Sequence, residues 1–323
     1  METTLVPDLH DALNGAIFCP KCGKKLEWDK QLIADNCVSC GVGVYYPLLI
    51  RDYIVYKPIA GGGIGHVFKA MKLGSEARYA IKILHRTYKE DPRFIRDIMR
   101  EAQTGSMIGI HPNLIPVIEY GYENEEYYIV TPFIVGERLD EYVTRKSHLS
   151  ERRALNITLQ IIEAENHILK HGFLYRDLKP ENIILEENGN VRIFDYGLCI
   201  THEEALSDDE PPDDFDGSPF YVPPERVVGA SEGEHSEIYS LGMIMFYMLK
   251  GRPYFTETEI NDLVVKHVSS FRILSVYGAL KNCNPELAKI IDKMIARKPK
   301  MRYHDFKTLK SDLLAIFLKM VEK

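Results

Sequence analysis

No apolar run in this sequence is long enough to cross a bilayer. The longest helical one, Leu241 to Leu249, is about half of what a span needs and reads as a buried core helix. The start, METTLVPDLHDALNGAI, has neither a basic n-region nor an apolar h-region followed by small residues. A secretory signal is therefore not expected, and the chain is expected in the cytoplasm, away from membrane. Internal repeats and low-complexity segments are absent. The eleven histidines are scattered, without metal-site spacing. Excess positive charge is missing too: 40 Lys and Arg stand against 47 Asp and Glu, a net charge of −7. That argues against wholesale nucleic-acid binding and leaves room only for a small basic patch. Cysteine is scarce, six in all, and in a reducing compartment those six do not read as disulfides.

Apolar residue is present in quantity. At 45% of 323 residues it supports a sizeable core and one large or two modest domains. Four of the six cysteines cluster: Cys19 and Cys22, then Cys37 and Cys40, each pair a C-x-x-C followed by glycine. Four thiolates complete a tetrahedral shell for Zn²⁺ and leave no open position, so the site is expected to be structural. The pattern looks like a zinc ribbon of the rubredoxin-knuckle type over residues 17–50, after a tail over 1–16. Metal binding would supply the folding free energy that so small a piece lacks. Val42 to Pro47 reads as its closing strand and Leu48 to Arg51 as a linker. Lys21, Lys24, Lys25 and Lys30 with Trp28 offer a face to nucleic acid. A solvated face with a small-core tryptophan, or a protein-docking face, is the preferred reading.

The rest of the chain is organised around Tyr175-Arg176-Asp177-Leu178-Lys179-Pro180-Glu181-Asn182. A hydroxyl can give its proton to Asp177, a phosphate can sit on Lys179, and Asn182 can ligate a hard cation. Asp195-Tyr196-Gly197 supplies a second carboxylate for Mg²⁺. That set suits phosphoryl transfer, where positioning and charge neutralisation supply most of the catalysis. From about Arg51 to Arg302 the sequence resembles the eukaryotic-like protein kinases, the bacterial Ser/Thr branch in particular, with the motifs in the family's order. The resemblance implies an α/β (α+β) bilobal fold, with a small, mainly β N-lobe over 51–131 and a larger, mainly α C-lobe over 132–323. ATP with Mg²⁺ would bind in the cleft between lobes, and the substrates would be proteins.

In the N-lobe, Ala60-Gly61-Gly62-Gly63-Ile64-Gly65-His66-Val67 is a glycine-rich stretch whose backbone N–H groups can close over phosphates. Alone it is weak evidence. His66 to Met71 and Tyr79 to Leu84 alternate as strands, however, and strand–loop–strand with a buried lysine is the kinase arrangement, not the Rossmann one. The resemblance makes Lys82 the phosphate-holding lysine and Glu101 its partner on a helix opened by Asp91-Pro92. Ile115 to Tyr122 and Tyr127 to Val130 read as strands. Thr131 falls at the gatekeeper position. Gly62 and Gly65 would meet phosphate; the Pro132 carbonyl and Phe133 N–H would meet adenine. Val67, Ala80 and Ile184 would sandwich the ring, and Glu137 would meet the ribose or a substrate arginine.

In the C-lobe, Leu155, Leu159, Ile162, Asn166 and Leu169 mark a long helix, and Phe306 to Val321 an amphipathic closing helix. By resemblance, Asp177 orients the acceptor and accepts its proton, Lys179 offsets γ-phosphate charge, and Asn182 and Asp195 hold magnesium. Lys179 and Ser218, the latter expected to bond Asp177 and Lys179, indicate a Ser/Thr acceptor. Glu225 should pair with Arg302. Tyr196 replaces a phenylalanine, and its hydroxyl needs a partner if buried. Cys199 and Cys283 read as buried small hydrophobes. Three positions depart from the family: Ala60, Gly105 and Glu237, the last replacing an aspartate that anchors the catalytic loop. They support an alternative, a nucleotide-binding pseudokinase scaffold, and Glu237 is expected to hold its loop less well. Between Asp195 and Glu225 lies an acidic run that includes Asp213, Asp214 and Asp216. It reads either as a solvated insertion or as the source of carboxylates that fill a pocket at Arg176, with Thr201, Ser207 and Ser218 as available hydroxyls.

Overall fold

The computed structural model describes residues 5–8, 11–12, 16–27, 33–206, 218–257, 259–269, 275–280 and 283–321. The chain divides into two compact units, residues 1–106 with 116–133 and residues 107–115 with 134–323. No helix among the described residues is long and apolar enough to cross a membrane.

The first unit begins with two small hairpins. β1 (Ile17–Phe18) pairs with β2 (Lys25–Leu26), and β3 (Ile33–Asn36) with β4 (Gly43–Tyr46). Each encloses one cysteine pair in the same turn. Cys19 N donates to Lys24 O and Gly23 N to Cys19 O; Cys37 N donates to Val42 O and Gly41 N to Cys37 O. Gly23 and Gly41 have φ of +72° and +73°, where a side chain would be strained. The expected tail is not separate from the ribbon. Leu5 bridges to Val44, and Ala12 is buried in the ribbon core.

Next comes a six-stranded antiparallel sheet. Its strands are β5 (Leu48–Ile50), β6 (Tyr53–Gly62), β7 (Gly65–Lys72), β8 (Arg78–Leu84), β9 (Glu119–Glu123) and β10 (Glu126–Pro132), in the order β5-β6-β7-β8-β10-β9. The expected linker at Leu48 is thus an edge strand. Leu48 and Ile50 turn inward against Val55 and Tyr53, in the sheet's main core. Leu49 and Ile54 point to the opposite face and join the ribbon core with Ile17, Leu26 and Val44. The period-2 alternation of β5 and β6 therefore feeds two cores at once.

The strand expected from Ile115 starts only at Glu119, because Ile115 N–H goes to Ile193 O and its carbonyl accepts from Tyr196 Oη. Helix α1 (Pro92–Ile108) opens with Arg93 N on Asp91 Oδ1. It buries Ile98 and Ala102 against Leu84 and Ile129.

The second unit is mainly helical, with α2 (Leu139–Lys146), α3 (Glu151–Lys170), α4 (His202–Ala205), α5 (Pro224–Val227), α6 (Glu234–Lys250), α7 (Ile260–Val268), α8 (Val276–Ala279), α9 (Pro285–Met294) and α10 (Phe306–Val321). Ser150 caps α3 by accepting from Arg153 N. The buried stripe of α3 is centred on Leu155, Ile161, Ile162 and Ile168; the expected Leu159 and Asn166 lie at its margin. In α6 every residue from Ser236 to Met248 is buried, as suits a helix that is apolar all round.

Short strands bring two loops together. β11 (Gly136–Arg138), β13 (Ile183–Glu186) and β14 (Val191–Ile193) form one antiparallel sheet; β12 (Phe173–Leu174) and β15 (Ile200–Thr201) form another. The loop 175–182 runs from β12 to β13, and the loop 194–199 runs from β14 to β15. Pairing β12 with β15 and β13 with β14 sets these loops side by side. Phe194 N on Asn182 O and Tyr175 Oη on Phe194 O lock them.

Candidate active site and cysteine cluster

In the first unit Lys82 lies on β8, between Val67 of β7 and Ile129 of β10. Its ammonium lies 2.8 and 2.6 Å from the two oxygens of Glu101 on α1. Glu101 is 7% exposed, so the pair is a charge-assisted fork in a largely dry setting. The glycine-rich stretch is a tight hairpin, Gly62 opposite Gly65 with Gly63 at φ +54°. A Cβ at position 65 would stand 2.6 Å from Ile83 O, so only glycine lets these backbones approach. Ala60 sits in β6 opposite Val67, and Ala80 opposite Lys69 and Thr131.

One expected contact group is already engaged. The Phe133 N–H donates to Arg78 O at 3.0 Å, and its ring lies under the Lys69 ammonium. The reading of Phe133 as the adenine donor is corrected on that ground.

In the second unit Asp177 is 6% exposed and held by three hydrogen bonds from two side chains. Lys179 Nζ donates to both of its oxygens, at 2.9 and 2.8 Å, and Asn182 Nδ2 donates to Oδ2 at 2.7 Å. Burial pushes the Asp177 carboxyl above its usual value, and the Lys179 charge opposes that shift. With its amide nitrogen spent on Asp177, Asn182 keeps Oδ1 as its acceptor. Asp195 has φ +74°, and its Oδ1 accepts from Gly197 N. The hydroxyl of Tyr196 finds its partner in Ile115 O, at 2.8 Å.

Three further expectations change. Ser218 makes no hydrogen bond to Asp177 or Lys179 among the described residues; the Asp177 oxygens accept from Lys179 and Asn182. Glu137 is gripped by Arg145 Nε and Nη2 at 2.9 and 2.6 Å, so a guanidinium of this chain already engages both of its oxygens. Ile184 sits on β13, opposite Arg138 and Arg192. Glu237 does hold its loop, accepting Arg176 N–H on Oε1 at 2.9 Å. The extra methylene is absorbed without losing the bond.

Glu225 takes Arg302 Nη1 and Nη2 at 2.6 and 2.8 Å, as expected. Cys199 and Cys283 are buried and free. Thr201 is occupied as the N-cap of α4, in a capping box with Glu204. Ser207 and the acids 208–216 lie outside the described residues, as do Trp28 and Lys30.

Sequence reasoning missed the charges beneath the loop. Glu232 pairs with Arg176 at 2.8 Å and with Arg226 at 2.7 Å. It also passed over His267, a buried ring bridging Tyr239 Oη and Pro219 O at 2.7 and 2.9 Å. Burial pushes His267 down to about 4, so the ring is neutral at neutral pH. Its Nε2–H then donates to Pro219 O. Nothing in the local pattern marks these residues; apart from Arg226, six positions from Glu232, their partners are tens of positions away.

The four cysteine sulfurs lie within 4.8 Å of one another. Cys19 and Cys40 stand 3.6 Å apart, and Cys22 and Cys37 3.7 Å.

A sheet with a glycine hairpin and a Lys–Glu fork, joined to a helical unit with an Asp–Lys–Asn loop and an adjacent Asp loop, defines the kinase class of fold. A model of the protein kinase domain matches residues 53–314, and the chain belongs to the protein kinase family. It is 31% identical over 276 residues to the serine/threonine-protein kinase PrkC of Bacillus subtilis, covering 82% of this chain and 40% of that protein. It is 29% identical over 269 residues to the probable serine/threonine-protein kinase PknB of Lactococcus lactis, covering 81% and 41%. Against the serine/threonine-protein kinase PknA of Mycobacterium tuberculosis it is 28% identical over 256 residues, 78% of this chain and 58% of that one. The chain spans about two-fifths of the length of the first two relatives.

Proposed function

We propose that this chain is a serine/threonine protein kinase, transferring the γ-phosphoryl of ATP to Ser or Thr hydroxyls on proteins. The observation that carries this reading is Asp177, buried in a fixed loop with Lys179 and Asn182 on its oxygens and the Asp195 loop alongside. The acceptor hydroxyl attacks the γ-phosphorus, the bond to the β–γ bridging oxygen breaks, and ADP leaves. Asp177 orients that hydroxyl and takes its proton, and Lys179 offsets charge on the transferred group. Lys82, set by Glu101, holds the α- and β-phosphates. The Phe133 N–H being taken, the adenine donor passes to Ile134, whose N–H has no partner among the described residues. Asn182 Oδ1 and the Asp195 carboxylate are hard oxygen donors that fit Mg²⁺. Bound there, the ion would neutralise phosphate charge.

The four cysteines would hold one structural Zn²⁺. A tetrahedral site with Zn–S of about 2.3 Å has sulfurs about 3.8 Å apart, close to the two pair distances here. A reducing cytoplasmic setting would keep those thiols available. The ribbon's lysines are read as a solvated or protein-docking face. The scaffold alternative loses a support, because Glu237 keeps its bond to Arg176.

The test is incubation with ATP labelled on the γ-phosphate, a panel of Ser/Thr-containing proteins and Mg²⁺, followed by phosphosite mapping. Label on serine or threonine is the expected result. Nucleotide binding without transfer to any protein would return the scaffold reading.

A further inference from the structure

Arg176, the residue just before Asp177, is held at its N–H, its carbonyl and its guanidinium. Its N–H donates to Glu237 Oε1 at 2.9 Å, its carbonyl accepts Arg226 Nη1 at 2.6 Å, and its guanidinium meets Glu232 at 2.8 Å. Its φ is +66°, a left-handed conformation that a residue with a side chain keeps only when its surroundings impose it. Glu232 is 7% exposed, and its second oxygen takes Arg226 Nε and Nη2 at 2.9 and 2.7 Å. One carboxylate thus bridges two guanidinium groups, and one of those guanidinium groups grips the Arg176 carbonyl. Glu232 N also donates to Ala205 O, at the end of α4. Among the described residues, no other carboxylate forms an ion pair with Arg176.

We propose that Glu232 is a positioning residue for Asp177, a built-in anion that orders the 175–182 loop so that transfer needs no phosphate attached to the chain itself. The inference rests on the kinase reading above. Two guanidinium charges packed together repel unless an anion joins them, and the chain supplies that anion from within. Without it, Arg226 loses its anchor, the Arg176 carbonyl is released, and the strained φ at Arg176 is free to relax. Asp177 would shift with it, and a shift of about 1 Å costs about a hundredfold in rate.

The test uses the full chain made with a phosphatase, so that its mass is that of the unmodified polypeptide, and follows transfer to a generic Ser/Thr protein. Unmodified wild type should be active from the first turnover. Its rate should stay within about twofold after the chain has phosphorylated itself. Glu232→Gln, which keeps shape but not charge, should lose about a hundredfold in kcat with KM for ATP nearly unchanged. Glu232→Asp should recover part of that loss. Wild type that is silent until it acquires a phosphate, or a Glu232→Gln enzyme with normal kcat, would overturn the proposal while the kinase reading stands. Transfer by no form of the chain would overturn both. If Glu232→Gln fails to fold, the wild-type comparison still decides.

Discussion

Position 237 shows what one methylene does to the electrostatics beneath a catalytic loop. Glu237 Oε1 keeps Arg176 N–H, but Oε2 is buried without a partner, and both oxygens of Glu165 on α3 are in the same state. Burial and, for Glu165, the Glu237 charge push these carboxyls up, Glu237 to about 7. A carboxyl raised in the fold contributes stability that is complete below its unfolded value, near 4.3, and lost as pH rises through the folded one. Melting temperature should therefore fall between about pH 5 and pH 8. Glu165→Gln should raise it by a few degrees at pH 8, corresponding to about 1–2 kcal/mol, and change little at pH 5. Equal shifts at the two pH values would show that Glu165 is not ionising within the folded chain. Glu225 behaves oppositely. Burial pushes it up, but Arg302 holds it below its usual value, so its contribution is lost as pH falls. At the reacting centre, Asp177→Asn should lower kcat by about 10²–10⁴-fold with ATP binding largely kept. Lys82→Met should weaken nucleotide binding as well. Titration of both variants with a fluorescent ATP analogue separates the two roles, and equal loss of binding in both would contradict them.

Among the elements, the α5 segment and the turn before α10 are joined by Arg302, 2% exposed, and Glu225. Removing one side of a buried pair costs about 3–5 kcal/mol, because the other charge stays unpaired. Arg302→Met should reduce the denaturant midpoint accordingly; a change below about 1 kcal/mol would show that the pair relaxes into solvent. Both residues of this pair were legible in the sequence, as were Lys82, Glu101 and the Asp177 loop, because their spacing is stereotyped. The strands flanking Gly62–Gly65 were legible because alternation betrays a half-buried strand. Leu48–Ile50 was not: three apolar residues in a row carry no period, and their division between two cores depends on what covers each face. Nor could spacing show that Phe133 N–H is taken by Arg78, that Thr201 caps α4, or that Glu232 reaches back 56 positions to Arg176. Those pairings are set by tertiary placement, which local pattern does not encode.

At the scale of the whole chain, the ribbon and the sheet fall in one compact unit. With a separate core in each piece, breaking the cysteine site would unfold only the ribbon. The ribbon and the sheet instead share one core, which predicts a wider effect. Ile54 is 1% exposed because the ribbon covers it, and Leu49 packs there too. Losing the ribbon would uncover both, at about 1.5–3 kcal/mol for the fully buried Ile54 and less for the partly buried Leu49. The other face of β5 and β6, with Leu48, Tyr53 and Val55, would keep its own core. The purified chain is expected to carry about one zinc, bound by Cys19, Cys22, Cys37 and Cys40. A chelator under reducing conditions, or Cys22→Ser, should then lower the melting temperature and speed hydrogen exchange along Leu48–Ile50 and the first half of Tyr53–Gly62. Exchange in α6 of the second unit should stay slow. Metal analysis with exchange mapped by mass spectrometry would check both. If zinc is lost while Ile54 and its neighbours stay protected, the ribbon is an appendage that the sheet does not need, and the shared core contributes little.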